Sequence, residues 1–443
     1  ISADWLILAP GWVLAPLLVA AGSAAAAAMA LTVRRRQAVP RRSAVAAVAA
    51  AAGLGVPVVV GARFALEPGR GRAAVPVRPA LLGAVAGVLG VLAAFTFSAG
   101  VSDAAANPAR FGQTWQLGTF LGLSGHDFTP AASQVVRAVA ANPDVTGVDD
   151  ALVGGAQSGQ VSVESFTYDA VAGKQVPVVL TGGRMPAAAD EIVLAPTTAS
   201  DMHAGAGSVI RLSGAAGPRP LTVTGIGFVP EGPHNDYDEG AWLTPAGYDR
   251  LFRGAHYAFK FHLAVVSLRP GADPQAVAGR LDKTAAAIKG GQGITFAPPD
   301  PLPQVRAIQD VAALPLALSA FLAVLAIGAV GHALSIAVRR RRHELAVLRA
   351  LGLTRRQSRL VIITQASLLA AIGIAFGIPL GIALGRVLWH AAADMTPLAY
   401  NPPWALLALL LIAPVALLAA NLLAAWPARR AARLRTAHIL RTE

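Results

Sequence analysis

Three short segments of this chain, 34–78, 339–359 and 427–443, hold 22 arginines against three acids, Glu67, Glu344 and Glu443, and each abuts an apolar run long enough to cross a bilayer. Few folds accommodate that pattern. Apolar stretches at 5–33, 80–99, 311–338, 360–389 and 402–426 predict five spans, and a single orientation then places every arginine cluster on one side, as the positive-inside rule requires. The stretch 43–60 is apolar too, but it contains Gly53, Gly55 and Pro57 and has arginines on both sides. A sixth crossing there would put one of those clusters outside, so the expectation is an Ala-rich helix lying on the cytosolic surface within a basic linker over 34–78.

The chain is 55% hydrophobic and only 14% charged, which excludes an ordinary soluble protein of 443 residues. Its net charge of +13 does not point to nucleic acid. Residues 101–305 carry 13 basic against 18 acidic side chains, so the whole excess flanks the apolar runs instead of forming a phosphate-binding face. With no cysteine there is neither a disulfide nor a thiolate metal site, and any large extramembrane part must rely on its own core.

In chain order, residues 1–33 read as the last span of a first repeat. Trp12 precedes Arg34 by 22 residues and Trp404 precedes Trp426 by the same 22, and both runs carry a central proline, Pro16 and Pro414. The rest of that first repeat is expected on preceding sequence or on another chain. After the linker comes a span at 79–100, then an extracytoplasmic α+β domain over 101–305. Its signals mix strands at 161–168, 176–180, 191–195, 209–212, 221–228 and 262–268 with helices at 131–141 and 273–289. A stalk continues into the span at 306–338, followed by a charged elbow at 339–359, spans at 360–390 and 402–426, and a basic cytosolic tail at 427–443. The fold class is thus a membrane α-helical bundle with one inserted α+β domain.

The elbow carries the sharpest signals. Leu345, Leu348 and Leu351, with Val347, form an apolar stripe at helical spacing, while Arg341, Arg342, Glu344 and Arg349 fall mainly on the other face. Gly352 can end that helix in a left-handed conformation, and Thr354 with Gln357 reads as a capping box that starts the next one. In the span that follows, Gly373, Gly377, Gly381 and Gly385 recur every four residues, a spacing that lets a second helix approach closely.

The run from the arginine-rich entry through His343-Glu344-Leu345, Leu348-Arg349-Ala350-Leu351-Gly352 and Thr354-Arg355-Arg356-Gln357 resembles the signature of the FtsX-like permease family. Gly183-Arg184-Met185-Pro186 with Asp190-Glu191-Ile192-Val193-Leu194, and Pro427-Ala428-Arg429-Arg430, are similar to that family's outer domain and C-terminal tail. The resemblance implies a permease subunit of an ATP-binding cassette transporter, in the C-terminal half of a duplicated permease. It implies that the short helix docks on a cytosolic ATPase present in two copies, through Glu344, Leu345, Leu348, Arg349 and Leu351 with Gly352 setting the turn. Further expected partners are the other permease half or a second permease, and membrane lipids. The implied setting is a bacterial plasma membrane with the C-terminus cytosolic, and the implied work is export or extraction of a lipid, peptide or lipoprotein. An alternative is a scaffold that transmits the same motion to a cell-wall hydrolase without moving a substrate.

No GxxxxGK[ST], HExxH or GxSxG occurs, and no carboxylate pair lies inside a span. The chain is therefore read as non-enzymatic and without a cofactor or metal of its own, ATP and magnesium belonging to the partner. The acidic loop 231–239, with His256 and His262 downstream, has the ligand types for a divalent cation but no recognised spacing, so a solvated turn-rich loop is the plainer reading. His332 and Arg386, near span ends, read as interfacial side chains.

Overall fold

A computed structural model of the protein describes residues 44–67, 77–253, 258–300, 302–311 and 313–432. The expected span at 5–33 and the end of the tail lie outside the described residues. In chain order the helices are α1 (Ala44–Ala51), α2 (Val56–Leu66), α3 (Val77–Ala106), α4 (Ala132–Val139), α5 (Pro196–Asp201), α6 (Pro245–Phe252), α7 (Pro274–Ala286), α8 (Pro303–Val311), α9 (Ala313–Arg340), α10 (Arg342–Ala350), α11 (Arg355–Met395) and α12 (Leu406–Ala432). The strands are β1 (Leu117–Leu123), β2 (His126–Asp127), β3 (Val145–Ser158), β4 (Val161–Gly173), β5 (Leu180–Gly183), β6 (Glu191–Leu194), β7 (Val209–Gly214), β8 (Gly217–Gly227), β9 (Ala241–Leu243) and β10 (Phe261–Leu268). Two compact units result, one within 1–99, 313–388 and 403–443, the other within 100–312 and 389–402.

The first unit is helical. Among the described residues four stretches are long and apolar enough to cross a membrane, Ala80–Ala106, Val305–Arg340, Arg355–Met395 and Leu406–Ala425, where the sequence predicts five over the whole chain. The ambiguous stretch 43–60 is not one helix but two, broken at Gly53, which sits at φ +69°; eight and eleven residues are too few to cross. α2 packs on α11 through Gly61, where a Cβ would stand 2.7 Å from the Val361 carbonyl oxygen. The core of this unit joins Phe64, Ala65, Leu334, Val361, Ile362, Leu369 and Ala424. Outward, α9 and α12 present Phe321, Val324, Leu407, Leu410 and Leu422 to the surroundings, apolar surface of the kind lipid covers.

The glycine series of α11 faces α3. A Cβ on Gly373, Gly377, Gly381 or Gly385 would come within about 3 Å of Ala84, Val88, Leu89 or Thr96 respectively. The two backbones therefore touch along about three turns, the arrangement by which helices gain van der Waals contact in lipid without a hydrophobic drive. Ser367 donates to Asn421 Oδ1 at 3.1 Å, which links α11 to α12, and Asn421 Nδ2 donates to the Leu417 carbonyl at 2.8 Å.

The second unit is an α+β domain on one ten-stranded mixed sheet, ordered β2-β1-β10-β3-β4-β9-β6-β8-β5, with β7 pairing β3 and β8. The β4–β9 and β6–β8 pairs are parallel, the others antiparallel. At one end α4 and α7 cover Leu117, Leu121, Val148 and Val266; at the other α5 and α6 belong to a core of Ile192, Leu194, Leu212, Leu221 and Leu251. Between them Trp242 packs with Phe166 and Tyr168 and donates its indole N–H to the Phe228 carbonyl at 2.6 Å.

Two sequence expectations shift here. β3, the longest strand, falls where no strand was expected, and in the expected strand 176–180 only Leu180 joins the sheet. Val176 is held otherwise, its N–H donating to the Asp149 carboxylate at 2.5 Å. The stretch around Arg184 and Glu191 folds into a clasp: Glu191 accepts from the Arg184 guanidinium at 2.8 and 2.5 Å and from the Ala187 and Ala188 N–H groups at 2.8 and 3.2 Å. Those contacts, the Arg184 hydrogen bonds first, bring the Glu191 carboxyl down to about 2.

Candidate functional site

The elbow is built almost entirely from local rules. α10 begins with Glu344 in its first turn and ends with Arg349 in its last, each charge complementing the helix dipole at its own end. Gly352 then takes φ +106°, a conformation costly for residues with a Cβ. Its N–H donates to the Arg349 carbonyl and that of Leu353 to the Leu348 carbonyl, both at 3.1 Å, the paired closure of a Schellman motif. One residue later the capping box forms in both directions. Thr354 N–H donates to Gln357 Oε1 at 2.8 Å, and Gln357 N–H donates to Thr354 Oγ1 at 3.2 Å.

Burial sorts the expected contact residues into two groups. Leu345 is 2% exposed and sits in the core with Phe64, Val361 and Ile362, joined at its margin by Leu348 and Leu353. These residues anchor α10 to its own bundle, so the apolar stripe is not all available to a partner. The surface presented outward is His343, Val347, Ala350 and Leu351, the last 79% exposed, flanked by the half-buried Glu344 and Arg349. Arg341 also departs from expectation. Assigned by spacing to the polar face, it is 2% exposed, its guanidinium lies 4.4 Å from the Phe64 ring centroid, and it donates to the Glu67 carbonyl. A planar cation over an aromatic face recovers part of the cost of burial. Nothing local in the sequence signalled Phe64 and Glu67 as its partners.

The remaining candidates carry less. In the loop 231–239, Asn235 Nδ2 donates to the carbonyls of Pro230, Asp236 and Glu239 at 2.9, 3.0 and 3.2 Å, and Thr197 donates to Asp238 Oδ2 at 2.7 Å. The loop is thus pinned by its own amide. No group of three metal-ligating side chains occurs among the described residues. His262 lies in β10 and is engaged elsewhere, and His256 falls outside the described residues. Arg386 stacks on Trp404 at 4.2 Å, and His332 is exposed.

Two family models match parts of the chain. Residues 316–434 match the FtsX-like permease C-terminal model, and residues 80–284 match the MacB-like periplasmic core domain. No curated protein matches significantly. Among solved structures, the periplasmic region of MacB from Actinobacillus actinomycetemcomitans is similar at 11% identity and a TM-score of 0.29, over 46% of this chain and 95% of that one. The extracellular domain of the ABC-type transporter YknZ from Gram-positive bacteria is similar at 12% identity and a TM-score of 0.26, over 42% and 99%.

Proposed function

From the premise that this chain joins a MacB-like periplasmic core domain to an FtsX-like permease segment, we propose that it is the permease subunit of an ATP-binding cassette transporter. In this reading the α+β unit lies outside the cytoplasm and the arginine-rich elbow inside, as the charge bias across the apolar helices favours. A separate cytosolic ATPase, expected in two copies, binds nucleotide and magnesium and pushes on α10. The motion passes along the apolar helices to the outer domain, which acts on a lipid, peptide or lipoprotein.

The observation that carries this reading is the division of labour across α10 and its two cap residues, Arg341 and Leu351. Leu345 and Arg341 bind the helix to the bundle, while Val347 and Leu351 face outward unburied. A nine-residue helix is too short to be stable by itself, so its shape here is imposed by its caps and its buried side. An apolar outward face on such a pre-formed element suits docking into a groove on another polypeptide.

The test is reconstitution with the partner ATPase. Leu351→Asp should leave insertion and folding intact and reduce permease-stimulated ATP hydrolysis at least tenfold. Wild-type stimulation in that variant would refute the coupling role of this surface.

A further inference from the structure

His262, on β10, has both ring nitrogens against carboxylates: Nδ1 lies 2.6 Å from Asp127 Oδ1 and Nε2 lies 2.5 Å from Asp150 Oδ1. A neutral imidazole has one N–H and one lone pair, so only the protonated ring can donate to both. The residue is 8% exposed, which leaves little room for water to take over a lost contact. Asp127 comes from β2 at the sheet edge and Asp150 from β3 on the opposite side of β10.

Gly122 makes the longer reach possible. It stands in β1 between the two, paired with Asp127 on one side and with His262 on the other. A Cβ there would lie 2.8 Å from Asp127 Oδ1 and 2.7 Å from the His126 carbonyl oxygen. The missing side chain is the gap through which the carboxylate crosses an intervening strand.

We propose that His262 is a pH-sensitive latch, which fastens the β1–β2 hairpin to the sheet while its ring is protonated and loosens it when the proton leaves. The charged groups acting on the ring are Asp150 from β3 and Asp127 from β2. β1 offers Gly122 at that point, and the Phe259 ring stands 5.5 Å away. One step out are His126 beside Asp127, Asp169 opposite Asp150 on β4, and Lys260, which is paired with Glu164. Burial disfavours the charged ring, but the two carboxylates outweigh it and the net displacement is upward.

On deprotonation one carboxylate loses its donor, and the structure determines which one yields. Asp150 belongs to a fourteen-residue strand paired on both sides, whereas β2 has two exposed residues and two ladder pairs. Its turn also holds Ser124 at φ +50°, an unfavourable conformation outside glycine. Asp127 is therefore the arm that lets go.

The test is hydrogen–deuterium exchange of the full chain in nanodiscs, reading residues 117–128 at pH 5.5 and 8.5 after correction for intrinsic exchange. Opening of the hairpin should be about tenfold more frequent at the higher pH. Asp127→Asn, at a partly exposed side chain, should abolish that difference, and His262→Gln should do the same. Gly122→Ala should open the hairpin at both pH values. Equal corrected protection at both pH values in the wild type, or the full wild-type change persisting in Asp127→Asn, would overturn the latch. Should His262→Gln fail to fold, Asp127→Asn decides.

Discussion

The guanidinium of Arg341 lies 4.4 Å over the ring of Phe64, shut away from water, and reaches past it to the carbonyl of Glu67. Through this pair the elbow and α2 hold one another. Lys cannot reproduce a flat guanidinium against a ring, so Arg341→Lys should weaken the contact by about 1 kcal/mol. Faster amide exchange over 342–350 in the inserted protein is the measurement. Phe64→Ala should cost more, about 3 kcal/mol, because it also empties a core position.

The turn after α10 offers a second comparison. Gly352→Ala imposes a Cβ on φ +106°, and Thr354→Ala removes one arm of the capping box. Each should lower thermal stability by roughly 1 kcal/mol. Gly352→Pro should be worse than either, since it forbids the conformation and deletes the N–H donated to Arg349.

Along the α3–α11 seam a Cβ at position 377 would lie 2.6 Å from the Val88 Cβ. Gly377→Leu should therefore force the helices apart at a cost of about 1–3 kcal/mol, seen as a lower melting temperature in detergent. The chain contains no cysteine, so an introduced pair at positions 84 and 373 gives a clean disulfide readout of the same spacing.

In the outer domain Asp149 is fully buried; burial is the main cause that lifts its carboxyl to about 6, opposed by the Val176 N–H and aided by nearby Asp169. A raised carboxyl favours the fold below its unfolded value near 4, and that contribution is lost as pH climbs through 6. Asp149→Asn should thus stabilise the domain by about 2–3 kcal/mol at pH 7.5 and by nothing near pH 3.5. Denaturant titrations at the two pH values check the sign.

What could be read from the residues alone follows how far apart the partners are. Thr354 and Gln357 are three positions apart, Gly352 needs only itself, and the glycines of α11 keep a four-residue step, so the elbow and the close-packing face were legible. Arg341 was not: its partners, Phe64 in α2 and Glu67 at its C-cap, lie about 270 residues earlier, and spacing alone assigns it to water. Leu345 and Leu351 share one stripe in the pattern yet end on opposite sides of the packing, because periodicity reports a face and not what covers it. β3 is not legible in the sequence because Asp149 and Gly154–Gly155 break its alternation, and the reason an aspartate can sit there is an N–H 27 residues further on. The set of Asp127, Asp150 and His262 spans more than a hundred positions and exists only once the sheet is assembled.

Between the last bond of α10 and the first of α11 only Gly352 and Leu353 intervene, and the amides of both are already spoken for. A joint with so little free backbone does not bend like a tether. It acts as a bracket, and whatever displaces Leu351 must either carry the start of the 41-residue helix with it or break hydrogen bonds to move alone.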